Sequence, residues 1–132
     1  MNVLTVALWA AGTVELAIAL ANIVLPRKLK YRENLARVTP MIRQVFVVHS
    51  AYIVGIVLLF ALITFKFTNE LASGRGLGRF LAVAMAAFWF CRVPLQLFYY
   101  DRAVRRDNRA GDAAITLALL FLAATYTAAA LV

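Results

Sequence analysis

The sequence predicts an all-α integral membrane protein, a bundle of four transmembrane helices with both termini outside and a short interfacial amphipathic segment in the first cytoplasmic loop. Hydrophobic residues make up 64% of the 132 residues, charged residues 15%, and the mean hydropathy is +0.84. A soluble domain of this length is far less apolar. Four apolar runs are long enough to cross about 30 Å of hydrocarbon, and we expect one transmembrane domain over 1–132 with spans at about 3–25, 42–65, 80–100 and 113–132.

The first apolar run is predicted to be a retained helix. Ala19-Leu20-Ala21 has the small-x-small pattern of a signal-peptide cleavage site. However, no Lys or Arg precedes the run, and Glu15 interrupts it. The run is also longer than the apolar region of an ordinary signal peptide.

The basic residues predict the orientation of the chain. They concentrate in the first and third loops, which the positive-inside bias assigns to the cytoplasm, so the localisation expected is the cell inner membrane. The net charge of +8 then indicates contact with anionic lipid headgroups, and no nucleic acid is expected as a partner. The residues concerned are Arg27, Lys28, Lys30, Arg32, Arg37 and Arg43 in the first loop, and Arg102, Arg105, Arg106 and Arg109 in the third.

The loops carry several helix signals. Leu25-Pro26 is expected to end the first helix, and Thr39-Pro40 to start the second. The segment between them is predicted to be a short interfacial helix, either simply packed there or acting as a lid or lipid sensor. Its apolar positions are Leu29, Tyr31, Leu35, Val38 and Ile42.

The other two loops are expected to be simpler. The glycine-rich stretch 69–78 is interpreted as a flexible turn, because it lacks the lysine and the spacing of a phosphate-binding loop. The stretch 101–112 is expected to be a solvated, internally paired loop, with Gly111-Asp112 breaking the pattern before the fourth helix. Pro94 is expected to kink the third helix and free backbone carbonyls.

Three ionisable residues interrupt three different apolar runs: Glu15, His49 and Arg92. Such residues usually face a protein interior or a water-filled cavity. Counting 1.5 Å per residue places Glu15 near the midplane, Arg92 within about 5 Å of it and His49 about 7 Å to the cytoplasmic side. The outer halves of the helices hold almost no comparable side chains. A pocket open to the cytoplasm is therefore expected, with ligand-binding candidates Glu15, Asn22, His49, Tyr52, Arg92, Gln96 and Tyr99.

Four interpretations of this cluster stay open. In the first, Glu15 and Arg92 form a neutralising ion pair with a purely structural role. In the second, an intramembrane enzyme uses Glu15 and His49 as catalytic acid and base, while Arg92 holds an anionic group. In the third, the residues seat the headgroup of an anionic amphiphile, such as a lipid or a quinone-like molecule. The fourth is a small transporter or proton pathway.

Among these, we expect a small polytopic protein that binds an anionic amphiphile or serves as an accessory subunit of a membrane complex. Membrane lipids are the expected partners, together with a homo-oligomer or a larger assembly. Cys91 alone can form no internal disulfide. No cluster has metal-ligand spacing, and His49 alone leaves open only a single axial ligand to a haem or pigment. The sequence specifies no cofactor.

The architecture resembles the small membrane enzymes of eicosanoid and glutathione metabolism. The shared features are four helices, outside termini, a long basic first loop, and an arginine in the third helix followed by aromatics, here Arg92 to Tyr99. The glutathione-binding motif of that family has arginine, asparagine and glutamate in the second helix. In the corresponding stretch, from Arg43 to Tyr52, only the arginine is present. The resemblance implies glutathione-type chemistry as an alternative function.

Overall fold

The computed structural model describes residues 2–28, 30–100 and 102–132, and for residues 25–28, 31, 103 and 104 it describes the backbone alone. This part of the chain is 90% helical and contains no β-strand. The helices are α1 (Val3–Lys28), α2 (Tyr31–Leu35), α3 (Pro40–Lys66), α4 (Thr68–Ala72), α5 (Gly76–Pro94), α6 (Arg102–Asp107) and α7 (Arg109–Leu131), and a π-helical turn (Leu95–Tyr99) continues α5.

Four of these helices, namely α1, α3, α5 with its π-helical turn, and α7, are long and apolar enough to cross a membrane. The prediction of an all-helical protein with four helices able to cross a membrane is therefore confirmed. The helices extend beyond the apolar runs. Helix α3 starts at Pro40 with Thr39 as its N-cap, as predicted, whereas α1 passes Pro26 and ends at Lys28.

The predicted break at Gly111-Asp112 is wrong, because both residues lie inside α7, which begins at Arg109. A glycine inside a helix costs roughly 1 kcal/mol relative to alanine. Here Asp112 makes an ion pair with Arg105 and accepts a hydrogen bond from Gln96. We infer that these contacts offset the unfavourable helix propensity.

The stretch 69–78 is not simply a flexible turn. It contains the end of α4 and the start of α5, and Leu71 is fully buried. A Cβ at Gly78 would collide with the backbone of Glu70 in α4, and Gly74, with φ +66°, lies against the backbone of Val132. The glycines therefore permit close approach between backbones, which composition alone does not distinguish from flexibility.

The helices pack in two pairs, α1 with α3 and α5 with α7, and α1 joins the pairs by contacting α7. The core lies toward the end that holds α4, which we call the closed end. The buried residues of α3 are Val57, Ala61 and Thr64, all in the C-terminal half of the helix. From Pro40 to Ile53, by contrast, α3 is almost entirely exposed. The opposite end, with α2 and α6, is the basic end, and there the helices pack more loosely.

Helix α2 lies within the segment predicted to form a short amphipathic helix. Lys30 has φ +54°, a left-handed conformation before α2, and α2 packs against α1. Arg43 of α3 donates from Nε to the carbonyl oxygen of Leu35, at 3.0 Å. This bond connects α2 to α3. Leu29 and the side chain of Tyr31 lie outside the described residues.

Candidate functional site

A buried polar core joins all four spanning helices at Glu15, whose side chain is fully buried. Trp89 of α5 donates from Nε1 to Glu15 Oε1 at 2.9 Å, and Thr64 of α3 donates to Oε2 at 3.5 Å. The Thr64 hydroxyl also shares a 2.6 Å hydrogen bond with the hydroxyl of Tyr126 in α7. Each spanning helix thus contributes one residue, and we call Glu15, Thr64, Trp89 and Tyr126 the polar core.

The polar core supplies hydrogen bonds to the carboxyl but no cation. Ala11 and Ala19, one turn to either side of Glu15, are also fully buried. A carboxyl in such surroundings loses its hydration, so the donors from Trp89 and Thr64 have to replace water. The geometry therefore suits a structural joint between helices.

The expected ion pair between Glu15 and Arg92 does not form, although both residues are described. The carboxyl of Glu15 is taken by Trp89, which lies three residues before Arg92 on α5. Arg92 is half-buried, its guanidinium lies 5.1 Å from the centre of the Tyr100 ring, and its Nη1 is buried without a hydrogen-bond partner. Similar depth was therefore insufficient to pair the two charges.

His49 lies far from Glu15. Thr64, which contacts Glu15, is fifteen residues further along α3, or about 22 Å at 1.5 Å per residue. The His49 ring is exposed, and its Nδ1 lies 2.8 Å from the carbonyl oxygen of Val45 in the same helix. The predicted depth was wrong because α3 begins at Pro40 and meets the core only near its C-terminal end. An acid–base pair of Glu15 and His49 therefore has no geometric support.

The remaining predicted site residues are dispersed. Asn22 donates to the carbonyl oxygen of Ile18 in its own helix, at 2.8 Å. Tyr52 and Tyr99 are largely exposed. Gln96 is buried and donates to Asp112 Oδ1 at 2.8 Å. No hydrogen bond or ion pair among the described residues joins any two of the seven ligand-binding candidates, so these contacts do not support the single convergent pocket expected from the sequence.

A second polar network links α5, α6 and α7 at the basic end. Asp112 accepts from Arg105 Nε at 2.8 Å and from Nη2 at 3.1 Å. Arg105 Nη1 donates to the carbonyl oxygen of Leu97 in the π-helical turn, at 2.7 Å. The hydrogen bond to Asp112 raises the pKa of the Arg105 guanidinium, which therefore stays charged. The paired loop expected at 101–112 thus has a specific arrangement, which holds α6 against α7.

An open groove of about 790 Å³ lies between α1, α2 and α3 at the basic end. Its walls are mostly apolar, and two arginines stand at the end nearest the loop. We call it the basic groove. It is lined by Asn22, Ile23, Arg32, Leu35, Ala36, Arg43, Phe46, Val47, Ser50, Ala51 and Val54.

Sequence reasoning missed Thr64, Trp89 and Tyr126. Trp89 lies in the middle of an apolar run, far from the ends where interfacial belts of aromatic residues occur. A central indole N–H needs an acceptor, and Glu15 is the carboxylate within a spanning run at that depth. The hydroxyls of Thr64 and Tyr126 carry no such signal, since threonine and tyrosine are common in transmembrane helices.

The polar core and the basic groove are thus separate. The core is closed and occupied by its own side chains, while the groove is open and is lined by none of the four polar-core residues. Among the described residues, no group of three His, Cys, Asp or Glu side chains could hold a metal ion. Comparison with known protein families, with curated proteins and with solved structures found no match for this chain.

Proposed function

We propose that this is an inner-membrane protein, with both termini outside, that binds an anionic amphiphile in the basic groove. The orientation is supported by the arginines and lysines at the end that holds α2 and α6, which the positive-inside bias assigns to the cytoplasm. The amphiphile is then a lipid of the inner leaflet. The observation that carries the proposal is the gradient of polarity along the groove.

The polarity of the groove decreases along the axis of α3, from the loop end to the deep end. Arg43 stands at the loop end of the groove and Val54 at its deep end, eleven residues or about 16 Å away. That is about half of the 30 Å hydrocarbon thickness, or the depth of one leaflet. An acyl chain can lie against the apolar walls while its headgroup reaches the arginines. The groove therefore fits a molecule with one apolar chain and one anionic head.

The arginines have different roles. Arg32 is exposed, on α2, and is available to a headgroup from the membrane surface. Arg43 donates to the carbonyl oxygens of Leu35 and Val38, at 3.0 and 3.4 Å. It therefore holds α2 over the groove while its positive charge remains beside the headgroup position. On this proposal α2 acts as the lid that its sequence suggested.

The test is competitive lipid binding, with equal concentrations of dioleoyl phosphatidylglycerol and dioleoyl phosphatidylcholine, measured by native mass spectrometry from mild detergent. We expect the wild type to retain phosphatidylglycerol preferentially. Arg32→Gln is expected to weaken that binding about fivefold, since one arginine near a membrane surface contributes about 1 kcal/mol toward an anionic lipid. Ala51→Trp, which fills the apolar part of the groove, is expected to reduce retention of both lipids.

The matched control is Arg37→Gln, which removes the same charge from the same loop but lies outside the groove. It is expected to bind phosphatidylglycerol like the wild type. Equal losses for Arg37→Gln and Arg32→Gln would mean that lipids respond only to the overall charge of the loop. That result, or unchanged retention in Ala51→Trp, would contradict binding in the groove.

A further inference from the structure

We propose that Arg92 and Thr116 form an intramembrane anion site that binds the carboxylate of a single-chain amphiphile at the seam between α5 and α7. This site is separate from the basic groove, and neither residue lines that groove. The proposal rests on two buried polar atoms without partners and on the register that brings their residues to a similar level.

The two atoms are Arg92 Nη1 on α5 and Thr116 Oγ1 on α7, and both are buried without a hydrogen-bond partner. Buried polar groups in proteins are nearly always hydrogen-bonded, and an orphaned one requires an explanation. In hydrocarbon the cost is higher, because no solvent is present to replace the missing partner. Arg92 can thus still donate a hydrogen bond from Nη1, and the Thr116 hydroxyl can still donate or accept one.

The register places the two residues at a similar level along α5 and α7. Helices α5 and α7 are antiparallel and packed together, and the bond of 2.8 Å from Gln96 to Asp112 fixes their relative position. Four residues toward the closed end from Gln96 is Arg92, and four residues in the same direction from Asp112 is Thr116. Residues four apart share a helix face. The backbones of Arg92 and Thr116 therefore lie one turn deeper than the Gln96–Asp112 pair, and the guanidinium of Arg92 extends back toward the Tyr100 ring.

The seam between α5 and α7 has two layers, one at Gln96 and Asp112 and a deeper one at Arg92 and Thr116. They differ in one respect. In the layer at the basic end, Asp112 supplies the negative charge that Arg105 and Gln96 need. Among the described residues, no carboxylate in the deeper layer forms an ion pair or hydrogen bond with Arg92. Glu15 and Asp112, the carboxylates that face the bundle, are already engaged by other donors. A bound anion would complete the deeper layer as Asp112 completes the other.

The chemistry of the anion follows from the depth and accessibility of the site. Arg92 lies seven residues before the end of the π-helical turn, or about 10 Å into the membrane. It is half-buried, so one side of it is open to lipid, and the Tyr100 ring lies against its guanidinium. A compact carboxylate on a flexible chain can reach this depth more easily than a phosphodiester with two chains. A guanidinium also pairs with carboxylate in a bidentate geometry.

The test is binding of oleate to the full-length protein in mild detergent, measured by native mass spectrometry, with lysophosphatidate as a second probe. We expect Arg92→Gln to weaken oleate binding about tenfold or more, because it removes a charge-assisted hydrogen bond. Thr116→Val, which keeps the shape of the side chain, is expected to weaken it severalfold. Arg92→Lys should retain part of the affinity.

The matched control is Arg79→Gln, the same charge change near the other end of α5, which should bind oleate like the wild type. Circular dichroism checks that each variant is folded. If Arg92→Gln does not fold, the binding of oleate to Thr116→Val decides the test. Lysophosphatidate binding with the same dependence on both residues would support the site and assign its anion to a phosphate monoester. Oleate and lysophosphatidate binding that ignores both substitutions, or no binding of either probe, would overturn the proposal.

Discussion

Glu15→Leu is expected to lower the free energy of unfolding by about 2 kcal/mol, whereas Glu15→Gln is expected to change it by less than about 1 kcal/mol. Leucine has a similar size but leaves the indole N–H of Trp89 without its acceptor, and a buried unsatisfied donor costs about 1–3 kcal/mol. Glutamine keeps a carbonyl oxygen for Trp89 and offers an amide to Thr64. The measurement is denaturant unfolding in detergent, followed by tryptophan fluorescence.

The control is Glu70→Leu, at an exposed position on α4, which should leave the stability nearly unchanged. The comparison between leucine and glutamine tests whether the carboxyl acts through hydrogen bonds or through its charge. If glutamine destabilised the protein as much as leucine, the carboxyl would have to act through a negative charge that glutamine lacks. The hydrogen-bonded polar core would then be the wrong description.

Gly78→Ala is expected to destabilise the protein by about 3 kcal/mol, the upper end for overpacking a closely packed site. The added Cβ would collide with the backbone carbonyl of Glu70. A backbone carbonyl held within α4 cannot rotate aside as a flexible side chain can, so α4 and α5 would have to separate. The change is measured by the same denaturant titration.

Gly111→Ala is the matched control, since it adds the same methyl group to a helical glycine with open space around it. It is expected to stabilise α7 by about 0.5–1 kcal/mol through helix propensity. Opposite signs for the two substitutions would establish the close contact between α4 and α5. Similar small effects at both positions would show that α4 does not lie against Gly78.

The spanning helices could be predicted because length and hydropathy are properties of single segments. Thr39-Pro40 likewise marks the start of α3, since an N-cap followed by proline acts locally. Gly111 and Gly78 were misjudged for the opposite reason. Gly111 is tolerated in a helix because the neighbouring Asp112 binds residues that are distant in the sequence. Gly78 allows the backbones of α4 and α5 to touch. Neither contact is recorded in the local pattern.

The candidate site was harder to predict, because it depends on how the helices slide and rotate against one another. Glu15 was correctly singled out as an unusual residue, but its partners Trp89, Thr64 and Tyr126 come from three other helices. His49 was placed only about 7 Å from the level of Glu15, although the residue of α3 that contacts Glu15 is Thr64. An error in the predicted position of one helix along the membrane normal displaces every residue on that helix. A cluster inferred from several helices therefore combines the errors of all of them.

The pairing of helices in the polar core has a consequence for biogenesis. The first two spanning helices, α1 and α3, form one hairpin, and α5 and α7 form the next. When the first hairpin enters the bilayer, Glu15 has Thr64 beside it, but the indole donor of Trp89 has not yet been inserted. The carboxyl is satisfied only once the second hairpin docks. A chain that lacks the second hairpin would therefore keep a carboxyl in apolar surroundings without its indole donor.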